Sequence, residues 1–208
     1  MTPKPAAAIA SYVTDMVALE HHLEKALAGQ ISDLDEDQQT ASALRTIHAT
    51  CEQHISVLES LADRREELGQ GFAEMVKKAA SSVLGAGAAA VDFVRTEKLP
   101  KNLRDDYTAV SLASIGYVML HTTALSLGDD EVAEIAHKHL QNHAKSVMTL
   151  HNIIPGAVIA FLQEEGYTAS RDVLSTVARN LASVWRDDSG VPDPDDRMAG
   201  RGSTRAGL

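Results

Sequence analysis

A chain of 208 residues with 44% hydrophobic content is long enough for one domain with a real core, and its composition excludes global disorder. Nineteen Lys and Arg against 29 Asp and Glu leave a net charge of −10, which excludes nonspecific binding to nucleic acid. One cysteine excludes an intrachain disulfide framework and fits a reducing compartment; with no apolar stretch behind Lys4 to serve as a signal peptide, a cytoplasmic location is expected.

Almost the whole chain reads as helix. Ala and Leu dominate, and no useful stretch alternates with a period of two. The first helix is expected over Pro5–Ala28, stopped by Gly29, and the second over Glu36–Leu68. A third, rich in Ala and Gly, is predicted over Phe72–Thr96, ending before Pro100. Within it Ala79–Val94 comes nearest to a membrane span, but it is short and carries Asp92. Membrane contact is therefore a weaker option than close packing of small residues. Asp105 or Asp106 is read as the cap of a fourth helix reaching Leu127, and Asp129 with Asp130 as the start of a fifth. Pro155 should end or kink the fifth, with a short continuation through Phe161 to Glu165. Thr168 or Ser170 then caps a last amphipathic helix through Trp185. Residues 1–188 thus form one helical domain, and 189–208 a disordered tail too polar to offset its ordering entropy.

Three apolar stripes contain a polar residue at mid-height. The first helix runs Ile9, Val13, Met16, Glu20, Leu23, Leu27; the second runs Leu44, Ile47, Cys51, His54, Leu58, Leu61. The fifth runs Ala133, Ala136, Leu140, His143, Val147, Leu150. A carboxylate at the centre of such a stripe is costly unless it meets a partner, a proton or a metal. The fourth helix is apolar nearly all round, so two inward faces fit: Val110, Ser114, Tyr117, His121, Ala124, or Val110, Ala113, Tyr117, Leu120, Ala124. His139 and His143 have a bidentate i, i+4 spacing. His48 and Glu52 share it too, which a solvated helix face explains. At most one of His21 and His22 can join Glu20.

Asp15-Met-Val-Ala-Leu-Glu20, Val57-Leu-Glu59, Tyr117-Val-Met-Leu120, Ala124 and Leu127-Gly-Asp129 together resemble the ferritin-like superfamily. The likeness is greatest to its YciE-like branch of bacterial stress-associated helical bundles, over roughly residues 11–150. The resemblance implies an all-α, antiparallel four-helix bundle of helices one, two, four and five. The Ala/Gly-rich helix and the C-terminal helix lie outside it. Dimetal sites of that superfamily take a Glu from each of two helices and a Glu-x-x-His pair from each of the others. Glu20 matches the first Glu; the second-helix pair reads Cys51-x-x-His54, and the fifth-helix pair reads His143-x-x-Ser146. The fourth-helix carboxylate, due near Ala113, is missing. One carboxylate cannot bridge and charge-balance two irons. The surviving donors suit a single divalent ion, Fe²⁺ or Zn²⁺, at Glu20, His54 and His143, with Cys51 and His139 as further candidate ligands. No catalytic residue is assigned. The alternative is a metal-free scaffold, its polar residues forming a hydrogen-bonded cluster, that works by self-association or partner binding through Ala79–Ala90. A homo-oligomer is expected.

Overall fold

The computed structural model describes residues 5–34, 38–65, 71–86 and 98–186, and among these there is no strand. Six α-helices follow in order: α1 (Pro5–Ser32), α2 (Gln38–Arg64), α3 (Phe72–Ala86), α4 (Lys98–Leu127), α5 (Asp130–Glu164) and α6 (Leu174–Arg186). Two compact units divide between Ala169 and Ser170. The second contains α6 and a single 3-10 turn, Arg171–Val173, capped by Ser170 through the Asp172 amide at 3.1 Å. The expected tail from residue 189 and the end of the third helix lie outside the described residues.

In the first unit the spacing of apolar residues decides which face goes inward. Every member of the α1 and α2 stripes is buried. Gly29 does not stop α1, which continues to Ser32. One interior glycine costs about 1 kcal/mol, and carrying on places Ile31 against the core. Behind these helices α3 buries Phe72, Val76 and Ala80 against α1 and α2.

One other boundary differs from expectation. Helix α4 starts at Lys98, so neither Asp105 nor Asp106 caps it. Pro100 falls in its first turn, where a missing amide hydrogen removes no intrahelical bond. Helix α5 begins as expected, with the Asp129 carboxylate accepting from the Val132 amide at 3.2 Å. Of the two outcomes expected at Pro155, the helix does not end there, and the continuation runs to Glu164 as one helix with the rest. The hydrogen bond forgone there is offset by burial of Ala157 and Ile159 beyond it. Gly128 takes φ +74°, the left-handed conformation that lets α4 turn into α5 within two residues.

Contacts across the unit fix the helix directions. Tyr117 meets His139 and His121 meets Ala133, so α4 and α5 are antiparallel. His21 pairs with Glu59 and His48 with Glu24, which makes α1 and α2 antiparallel. Arg65 binds both Asp129 and Glu131 while His54 meets Asn142, giving the same relation between α2 and α5. Glu20 to Tyr117 and Gln30 to Asp106 set α1 against α4. Where that last pair approach, Gly116 lies under Met16: a Cβ there would sit 2.5 Å from Met16 Sδ, so the methionine side chain would have to turn aside. The result is an all-α helical bundle whose buried α4 face is Val110, Ala113, Tyr117, Leu120 and Ala124, the second of the two faces the sequence allowed.

The outer side of α4 is unusual. No Asp, Glu, Lys or Arg occurs from Tyr107 to Leu127, and Leu112, Ile115 and Met119 are exposed. Among the described residues, α4 and α5 are long and apolar enough by length and composition to cross a membrane; most of the expected Ala79–Val94 stretch lies outside the described residues.

Asp106 is buried between α1 and α4, with Oδ1 accepting from Gln30 Nε2 at 2.7 Å and Oδ2 unpartnered. Burial raises its pKa from 3.8 to about 6, against the opposing effect of the Gln30 hydrogen bond. Between these values the folded chain holds a proton that the unfolded chain has released, so this group erodes stability as pH rises through that window. Asp106→Asn is expected to gain about 2 kcal/mol over wild type at pH 7 and nothing at pH 3.5, measured by urea denaturation at both pH values.

Candidate metal centre

Four helices each send a polar side chain to one level of the core: Glu20 from α1, His54 from α2, Tyr117 from α4, and His139 with His143 from α5. Glu20, His54, Tyr117 and His143 have no solvent exposure, and His139 has 3%. The α5 stripe lies slightly round from its expected position. His139, His143, Ser146 and Leu150 face inward, whereas Leu140 and Val147 are only half-buried.

A single oxygen organises the cluster. Glu20 Oε1 accepts from His143 Nε2 at 2.7 Å, Tyr117 Oη at 2.7 Å and His54 Nδ1 at 2.8 Å. Tyr117 gives its one hydrogen to Glu20, so its oxygen accepts from His139 Nδ1 at 3.0 Å. His54 Nε2 accepts from the Asn142 amide at 3.2 Å, which fixes hydrogen on Nδ1. The His54 and His139 rings stack at 3.8 Å. Two buried atoms lack partners: Glu20 Oε2 and His143 Nδ1.

These surroundings set the protonation states. Burial alone pushes the Glu20 carboxyl up, but hydrogen bonds from His143 and His54, and their charge, outweigh it and hold the group far below its usual value. Burial, then the Glu20 charge, lifts the Tyr117 hydroxyl well above its ordinary range, so it remains a donor. Burial and then His54 hold His139 down to about 3, and it is neutral at physiological pH. The Cys51 thiol is pushed far up by burial and then by the neighbouring Glu20 carboxylate, which keeps it protonated.

Glu20, His54 and His143 offer three ligand atoms within 4.8 Å of one another. Cys51 and His139 fall outside this group: one is held as a thiol, and the other donates to Tyr117. Neither His21 nor His22 joins Glu20, and His21 turns instead to Glu59 at 3.2 Å. His137, on the exposed side of α5, meets Gln141. Sequence reasoning placed Tyr117 inside without giving it a role and missed Asn142. A buried tyrosine hydroxyl nearly always finds a partner, which was the available signal for the first. Beside the cluster, Gln53, His54, Lys138, His139 and Asn142 line part of a cavity of about 270 Å³ between α2 and α5.

Tyr117→Phe removes one donor to Glu20 and the acceptor for His139. It should cost about 1.5–3 kcal/mol in a denaturant melt, the range for a hydrogen bond to a charged group.

No family model and no curated protein matches the chain. A solved structure of a protein from Xanthomonas campestris pv. campestris is similar to it, with TM-score 0.59 and 17% identity over 79% of this chain and 100% of that one. At that identity the likeness shows a shared all-helical fold.

Proposed function

We propose that this chain is a ferritin-like, stress-associated helical-bundle protein that holds one divalent ion between Glu20, His54 and His143. Helix directions support the ferritin-like arrangement. Both α2 and α4 run opposite to α1, so joining them takes a crossover, as in ferritin-like bundles. The observation that carries the metal reading is the convergence of three ligand atoms on fully buried side chains, beside two buried polar atoms that lack partners. One carboxylate and two imidazoles suit Zn²⁺ or Fe²⁺ and cannot charge-balance a pair of ions. A bound ion supplies Lewis-acid chemistry or, as iron, one-electron chemistry. His54 Nδ1 and His143 Nε2 now direct hydrogen at Glu20, so an ion must displace it, and affinity rises with pH. Stress association, a cytoplasmic location and homo-oligomer formation belong to the same reading.

Elemental analysis after loading with Fe²⁺ or Zn²⁺ should find one ion per chain at this centre, lost in Glu20→Gln and His54→Ala variants that keep the wild-type circular dichroism. Wild-type metal content in both variants would refute the assignment.

One observation favours a second reading, a metal-free scaffold that self-associates. Glu20 Oε1 already accepts three hydrogen bonds, which satisfies the buried charge without an ion. The exposed Leu112, Ile115 and Met119 of α4 then supply the contact face. On that reading Leu112→Glu with Ile115→Glu converts an oligomer to a monomer in light scattering.

A further inference from the structure

One turn beyond Glu20 on α1, and on the solvent side of Cys51, a second group of ligating side chains bridges two helices. His48 on α2 places Nε2 at 2.9 Å from Glu24 Oε1 on α1, and Nδ1 at 3.4 Å from Glu52 Oε2 on its own helix. Ligand atoms of the three residues lie within 4.8 Å of one another. The side chains of His48 and Glu24 are 19% and 26% exposed, and that of Glu52 is 59% exposed, so an ion from solvent can reach them.

We infer that Glu24, His48 and Glu52 form a second, solvent-accessible divalent-cation site that ties α1 to α2. A neutral imidazole has one N–H and one lone pair, yet both nitrogens of His48 face carboxylate oxygens. In that form one lone pair faces an anion; an imidazolium donates to both carboxylates, and a divalent cation takes the place of one of its two protons between nitrogen and oxygen. Tetrahedral ligands at about 2.0–2.2 Å from Zn²⁺ sit about 3.3–3.6 Å apart, and the three residues already bring ligand atoms within 4.8 Å of one another. The Glu52 side chain is 59% exposed, so solvent leaves its carboxylate room to turn toward an ion held beside His48. Two carboxylates, one imidazole and a position open to water suit Zn²⁺ or a similar borderline divalent ion. This site does not depend on the ion proposed for the core.

Co²⁺ and Zn²⁺ titrations of the full chain, followed by calorimetry and Co²⁺ absorption, test it. His48→Ala should bind one equivalent fewer than wild type, and Glu52→Gln should weaken that equivalent at least tenfold with unchanged circular dichroism. His137→Ala, altered at an exposed histidine of α5, should bind as wild type does. His143→Ala should leave this equivalent in place, so failure of the core centre and failure of this site are told apart. Equal stoichiometry in wild type and His48→Ala, or loss of this equivalent in His143→Ala, would overturn the inference.

Discussion

The interior of this bundle is organised around one negative charge that has no access to water. Glu20 has no solvent exposure, and the carboxylate is stable there because a single oxygen takes hydrogen bonds from α2, α4 and α5 at once. Each donor is buried too, so losing any one leaves both a charge and its former partner stranded in the core. That makes the relative height of four helices a matter of several kcal/mol, whereas the apolar layers above and below tolerate small shifts more easily.

The outer contacts repeat the same pairing with less force. His21 with Glu59 and Glu24 with His48 flank the buried Glu20–His54 pair along the α1–α2 seam. Arg64 and Arg65 fasten the end of α2 to Asp129 and Glu131 at the start of α5. Of these pairs only Arg64–Glu131 is exposed at both ends, where such a contact contributes about 0–1 kcal/mol; the others are part-buried. They agree with the register that the core cluster enforces, and consistency across levels is what gives one arrangement an energetic gap over others. Helix α4 differs: it contributes Tyr117 to the centre and keeps its outer face free of formal charge between Tyr107 and Leu127.

On the proposed reading, the chemistry of the centre follows from how little anionic oxygen it contains. One carboxylate, two imidazoles and a thiol held in its protonated form do not balance two iron ions. The group at Glu24, His48 and Glu52 has the opposite character, with two carboxylates near solvent and a single imidazole. Between the two groups lies Cys51, whose thiol responds to both Glu20 and Glu24. A core centre of low charge and a rim group of higher charge therefore share the α1–α2 seam.

Sequence alone determined the radial placement of most residues. A three–four repeat specifies which side of a helix avoids water, and Glu20, His54 and His143 all lie inside as their stripes required. Asp129 was legible as a cap because capping is local chemistry. Only tertiary structure decided the inward face of α4, because a helix apolar on every side has no preferred direction until its neighbours supply one. The same holds for the passage of α5 through Pro155, which depends on burial of Ala157 and Ile159 beyond it. Pairings such as His139 with Tyr117, Asn142 with His54 and Glu24 with His48 depend on the axial offset and rotation of one helix against another. Those quantities come from side-chain packing between segments far apart in the chain, and no local periodicity encodes them.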